Sequence, residues 1–148
     1  MIEAQNMNPV QIVIDTNVLV SAFRSRHGAS NKLLAAIGDP RWKINISTSL
    51  ALEYEEVLKR TLKDQGRSLK LAEEAVDGLL ALANRQSTPV RYRPMSSDAD
   101  DEFILELAIE SRAAYLVTFN IRDFKALERY GVHVVRPSEF LRIMEEHP

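Results

Sequence analysis

The chain of 148 residues contains no cysteine. That excludes disulfides, thiolate metal ligands and cysteine nucleophiles, and it suits a reducing compartment. Histidine is scarce as well: His27, His133 and His147 stand far apart, with no spacing that suits zinc. No apolar run approaches the roughly 18 residues that a membrane span requires. Formal net charge is only −2, so no global basic excess announces a polyanion. The Gly-rich phosphate loop, the Gly-x-Ser-x-Gly elbow and the dinucleotide fingerprint are all missing. Residues 1–9 have neither the basic start nor the apolar stretch of a signal peptide. The expectation is a cytoplasmic protein with no membrane partner and a flexible extension over residues 1–9.

What is present is a globular composition, 45% apolar, in a length that suits one domain with one core. Local charge says more than the total. Arg24, Arg26, His27 and Lys32 cluster early, and Arg85, Arg91 and Arg93 cluster later, while acids gather at Glu53–Glu56 and Asp98–Glu102. An acidic centre with basic flanks suits a polyanion held through metal ions. The alternative is that these charges are simply solvated.

Apolar runs of β type fall at residues 11–15, 43–47, 88–91, 115–118 and 132–135. Helical patterns separate them, at 17–24, 30–37, 68–84 and 101–112, with a last helix after Pro137. Leu50, Tyr54, Val57, Leu58 and Leu62 follow helical spacing and predict an amphipathic helix. Strands alternating with helices predict an α/β fold with a central parallel sheet. Residues 92–100 read as a connecting loop. The Leu- and Ala-rich stretch 69–83 predicts a helix that either covers the sheet or meets a second copy.

The most informative segment is Ile12-Val13-Ile14-Asp15-Thr16-Asn17, an apolar run that ends in a carboxylate. Open α/β sheets place ligand sites beyond the carboxyl ends of their strands. Burying a carboxylate costs several kcal/mol unless something offsets it. Asp15 therefore holds something or is held by something.

Glu53 projects about 40° from Val57, at the edge of its helix's apolar stripe. Asp101 falls among Ile104, Leu105 and Ala108, inside an apolar arc. Asn120 follows the strand end at Thr118, and Asp123 comes three residues later. Each has a structural explanation. Asp15 could cap a helix, Glu53 could favour a helix dipole, Asp98 and Asp101 have capping-box spacing, and Asn120 could be a turn residue. Capping does not explain why all of them converge on one sheet edge. Clustered acids repel one another unless a cation joins them, and an all-oxygen donor set suits Mg²⁺ or Mn²⁺. His133, in a strand-like run, reads as structural.

Four segments together resemble the PIN-domain ribonucleases. They are Val13-Ile14-Asp15-Thr16-Asn17-Val18-Leu19-Val20-Ser21-Ala22, then Ser47 with Glu53-Tyr54-Glu55-Glu56-Val57-Leu58, then Asp98 through Ala108, and Ala114 through Phe124. They follow the family's order and spacing over nearly the whole chain, and are most similar to the toxin components of bacterial toxin–antitoxin pairs.

The resemblance implies a three-layer α/β/α sandwich with about five parallel strands, residues 1–148 forming a single nuclease domain. It implies a Mg²⁺- or Mn²⁺-dependent endonuclease for single-stranded RNA. Asp15, Glu53 and Asp101 match the first three metal-binding acids. Asn120 occupies the place of the fourth and lacks its charge, which leaves Asp123 or Asp98 as further candidate ligands and leaves the second metal in question. Thr16, Asn17 and Thr118 are candidates to position phosphate or water. Arg24, Arg26 and Lys32 are candidates to steer the RNA. A homodimer and a cognate antitoxin are the implied partners.

Two alternatives stay open: a PIN-like RNA- or partner-binding domain of weak catalysis, and a haloacid-dehalogenase-like phosphatase. The latter expects a second Asp where Asn17 stands.

Overall fold

The computed structural model describes residues 8–86 and 99–146. Its sheet has five strands, all parallel, in the order β3-β2-β1-β4-β5. They are β1 (Val10–Ile14), β2 (Trp42–Ser47), β3 (Asn84–Gln86), β4 (Tyr115–Val117) and β5 (His133–Val135). The helices are α1 (Thr16–Arg24), α2 (Ala29–Ala35), α3 (Thr48–Asp64), α4 (Lys70–Leu82), α5 (Ala99–Glu110) and α6 (Pro137–Glu146). A 3₁₀ helix over Ile121–Tyr130 joins β4 to β5.

The chain starts in the middle of the sheet and builds outward to β3, then returns and builds the other way. Right-handed crossovers put the helices of these two journeys on opposite faces, giving the three-layer sandwich. β1 is consequently covered on both sides. Ile12, Val13 and Ile14 are all buried, which is why this strand reads as an unbroken apolar run instead of an alternating one.

Helix α3 follows β2 with no loop. Ser47 caps it, its hydroxyl accepting from the Leu50 N–H at 3.1 Å. Leu50, Tyr54, Leu58 and Leu62 face the core as their spacing predicts. Helix α4 packs on α3 and β2. Its Ala72 and Val76 are buried and Leu71, Leu79 and Leu80 partly so, so most of its apolar face covers this chain's own core. Gly131, at φ 79°, ends the 3₁₀ helix in the left-handed region that glycine reaches without strain.

Some expectations change. The third strand described is Asn84–Gln86; the run expected at 88–91 lies outside the described residues. The helix predicted to reach residue 84 stops at Leu82. The loop predicted over 92–100 ends earlier, because α5 begins at Ala99; residues 92–98 lie outside the described residues. The third strand escaped notice because Asn-Arg-Gln has no apolar signal. Its amides serve a different purpose. Gln11 Oε1 accepts from Asn45 Nδ2 and from Asn84 Nδ2, both at 2.9 Å, and Asn45 Oδ1 accepts from Gln86 Nε2 at 3.1 Å. This amide ladder crosses β1, β2 and β3. The ten-residue 3₁₀ helix was also unpredicted, since its period of three is poorly separated from α-helical spacing. No helix among the described residues is long and apolar enough to cross a membrane.

Candidate active site

The strand order reverses between β1 and β4, the point where open α/β sheets form their ligand crevice. The two residues that leave these strands are Asp15 and Thr118. Ile14 pairs with Val117, and the Asp15 N–H donates to the Val117 carbonyl at 2.9 Å. Backbone pairing thus carries the two side chains to the same edge. There the Thr118 hydroxyl donates to Asp15 Oδ2 at 2.7 Å.

Asp15 is only 7% exposed. It occupies the N-cap position of α1 without a well-formed side-chain capping hydrogen bond. Burial pushes its carboxyl above the usual 3.8. The Thr118 hydroxyl and the nearby Thr16 and Asn17 N–H groups oppose that shift, while the Asp123 charge adds to it. Beneath it, the Tyr54 hydroxyl donates to the Ile14 carbonyl. Burial, then the Asp15 and Glu53 charges, push the Tyr54 phenol well above its usual range, so it remains a donor.

A cavity of about 590 Å³ opens over this edge. Asp15 and Asn17 enter it from the end of β1 and the start of α1, Glu53 from α3, Asp101 from α5, and Phe119 and Asn120 from the segment after β4. The three acids expected to meet therefore line one cavity. Glu53 is the sixth residue of α3, which has no acid in its first turn, so the helix dipole does not explain it. Its carboxylate accepts from the Thr16 hydroxyl across the cavity. Asp101 is half-buried in the first turn of α5.

The other expected residues divide. Asn120 lines the cavity and its N–H donates to Thr118 Oγ1 at 2.9 Å. Thr118 is buried, outside the cavity wall, and its hydroxyl links the Asn120 N–H to the Asp15 carboxylate. Asp123 lines an adjacent depression instead, though its charge reaches Asp15. Asp98 lies outside the described residues, and the capping box that it would form with Asp101 lies there with it. Arg24 stands on the cavity wall; Arg26 lines a neighbouring depression; Lys32 is exposed on α2. His133 is exposed on β5 and rests against Tyr115, ring centroids 5.8 Å apart.

Val20, Ser21 and Ser25 also line the cavity. The first two follow Asn17 at helical spacing and share its face of α1, a signal that was available. Phe119 carried none, because its exposure depends on how the 3₁₀ helix leaves the sheet.

The donor set fits a hard divalent cation, since carboxylates and amides offer only oxygen. One further atom points the same way. Asn17 Oδ1 is buried and has no hydrogen-bond partner among the described residues, an uncompensated acceptor beside a desolvated carboxylate. Among the described residues, however, no three acids or histidines converge as a ready ligand group. The hydroxyls of Thr118 and Thr16 engage carboxylate oxygens of Asp15 and Glu53.

The sequence profile of the PIN domain matches residues 11–122 of this chain. Among solved structures, VapBC-1 from nontypeable Haemophilus influenzae is similar in fold, with a TM-score of 0.58 at 16% identity, covering 87% of this chain and 99% of that one. VapBC2 from Rickettsia felis, bound to a DNA fragment from its promoter, gives 0.56 at 17% identity, covering 84% and 98%. No curated protein matches the sequence.

Proposed function

The chain belongs to the PIN domain family, and from that premise we propose that it is a metal-dependent endoribonuclease for single-stranded RNA, the toxin of a toxin–antitoxin pair. One observation carries the reading: carboxylates from β1, α3 and α5 line a single cavity at the sheet's switch point. Asp15, Glu53 and Asp101 are the residues that would hold Mg²⁺ or Mn²⁺. Such an ion, when bound, supplies a more acidic water and offsets charge on the phosphate.

The chain's own residues do the rest. Thr118 fixes the Asp15 carboxylate, and Tyr54 anchors the strand end beneath it. Thr16 holds Glu53. The amides of Asn17 and Asn120 orient water or phosphate, and Arg24 on the same wall meets the RNA backbone. Arg26 and Lys32 add to the field that draws the strand in, so binding weakens as salt rises.

The VapBC neighbours support a protein antitoxin as partner. Among the described residues, exposed Leu52, Leu69 and Leu82 are apolar side chains available to a homodimer contact. Family membership removes the ground for the phosphatase alternative. One observation favours the weak-catalysis reading: Asn120 brings an uncharged amide to the cavity where the resemblance implies a fourth acid.

The test incubates the pure protein with a mixed RNA pool, with Mn²⁺ and with chelator, beside Asp15→Asn. Cleavage that needs Mn²⁺ and Asp15 supports the enzyme. Tight Mn²⁺ uptake without cleavage supports the binding domain. Equal cleavage by parent and variant removes Asp15 from the site.

A further inference from the structure

Beyond the rim formed by Phe119 and Asn120 lies a second depression, about 500 Å³ in volume, which shares those two residues with the acidic cavity. Its charge is opposite in sign. Arg122, Lys125 and Arg136 line it against one carboxylate, Asp123. The pairing of Arg122 with Lys125 follows from the 3₁₀ helix that bears them. At three residues per turn, side chains three apart stand in one row. Glu128, next in that row, is drawn off to the Val134 N–H at 3.0 Å. Arg136 enters from the far side and its Nη1 donates to the Phe119 carbonyl at 3.5 Å.

The rim itself is unusual. Phe119 is 37% exposed on the rim shared by the acidic cavity and the basic depression. Neither the core nor the acids account for an aromatic ring there. Arg24, about two helical turns along α1 from Asn17, lines the cavity and also a third depression with Arg26 and Arg67. Two basic depressions thus adjoin the acidic cavity, each sharing lining residues with it.

We propose that the depression beside Phe119 is a second nucleotide subsite for the same RNA strand. Arg122, Lys125 and Arg136 take the phosphates next to the scissile one, and Phe119 stacks the base between them. A strand held beyond the acids by its neighbouring phosphates is cut internally. The inference rests on the ribonuclease reading and names where the substrate runs.

The test is binding without cleavage. A labelled, mixed-sequence single-stranded RNA of about twelve nucleotides is titrated with the protein in chelator at several salt concentrations, read by fluorescence anisotropy. Arg122→Gln, Lys125→Gln and Arg136→Gln are combined in one variant. Each phosphate contact on a single strand contributes about 0.7 to the slope of log K against log salt. The triple variant is expected to lower that slope by about 2. Phe119→Ala is expected to weaken binding about tenfold at an unchanged slope, because stacking releases no counterions. These side chains are exposed, so parent-like thermal unfolding is expected of both variants. A triple variant with the parent's affinity and slope overturns the subsite, even where the parent cuts RNA. A parent that neither binds nor cuts RNA overturns the ribonuclease reading and the subsite with it.

Discussion

The sheet takes polar side chains wholly or partly out of solvent in two places and treats them in opposite ways. On the β2–β3 side, the amides of Gln11, Asn45, Asn84 and Gln86 donate to and accept from one another. The group is neutral and mutually satisfied, so burial costs it little. At the β1–β4 junction, Asp15 is a carboxylate that burial drives toward protonation, and Asn17 Oδ1 has no partner among the described residues. The first arrangement stabilises the chain by itself. The second is left incomplete, and an incomplete polar cluster on a cavity wall is what a ligand would complete. A ladder of amides specifies strand pairing; an unbalanced carboxylate specifies a site.

The contrast breaks most readily at Asp15. Asp15→Asn should lower Mn²⁺-dependent RNA cleavage by more than about a hundredfold, since even groups behind a metal ligand are worth 10–100-fold. Its thermal unfolding should occur no lower than the parent's, because a desolvated charge has been removed. Loss of activity together with collapse of the fold would make Asp15 a structural residue.

Thr118→Val removes the hydroxyl that fixes Asp15 while keeping the shape. Mn²⁺ affinity, measured by calorimetry, should fall by about 10–100-fold. Unchanged affinity would show that Asp15 needs no such support.

The ladder answers differently. Asn45→Leu leaves Gln11 and Gln86 short of partners and should cost about 2 kcal/mol in urea unfolding. The rise in melting temperature that Mn²⁺ produces should stay as in the parent. Should that rise vanish, the two polar groups are coupled and the distinction between them fails.

The smallest effect is one of pH. With the folded carboxyl of Asp15 raised above 3.8, the native state holds more protons than the unfolded state between those two values. Stability of the metal-free protein therefore falls as pH rises through that window, by this group's contribution. Asp15→Asn lacks the contribution. The stability difference, variant minus parent, should grow as pH rises from 3.8 and level off above the raised value. Unfolding in chelator across pH checks it, and a flat difference would mean that Asp15 is as well solvated when folded as when unfolded.

Much of this was legible in the residues. The run Ile12–Ile14 could only be a strand covered on both faces, and the carboxylate after it had to stand at a strand end. Glu53 and Asp101 stood out because one borders its helix's apolar stripe and the other falls inside an apolar arc. The third strand was not, because Asn84–Gln86 is stabilised by amides from two other strands and looks like a turn when read alone. Phe119 was not, because nothing local distinguishes a rim aromatic from a core one.

Local pattern determined which segments became strands and helices, and which side chains could not be content in a core. Those properties depend on neighbours a few positions away. Which acids would share a cavity, that Thr118 would serve Asp15 across 103 positions of chain, and that basic depressions would lie beside the acids were decided by strand order. Parallel pairing of β1 with β4 brings their ends to one edge, and no spacing along the chain encodes that adjacency.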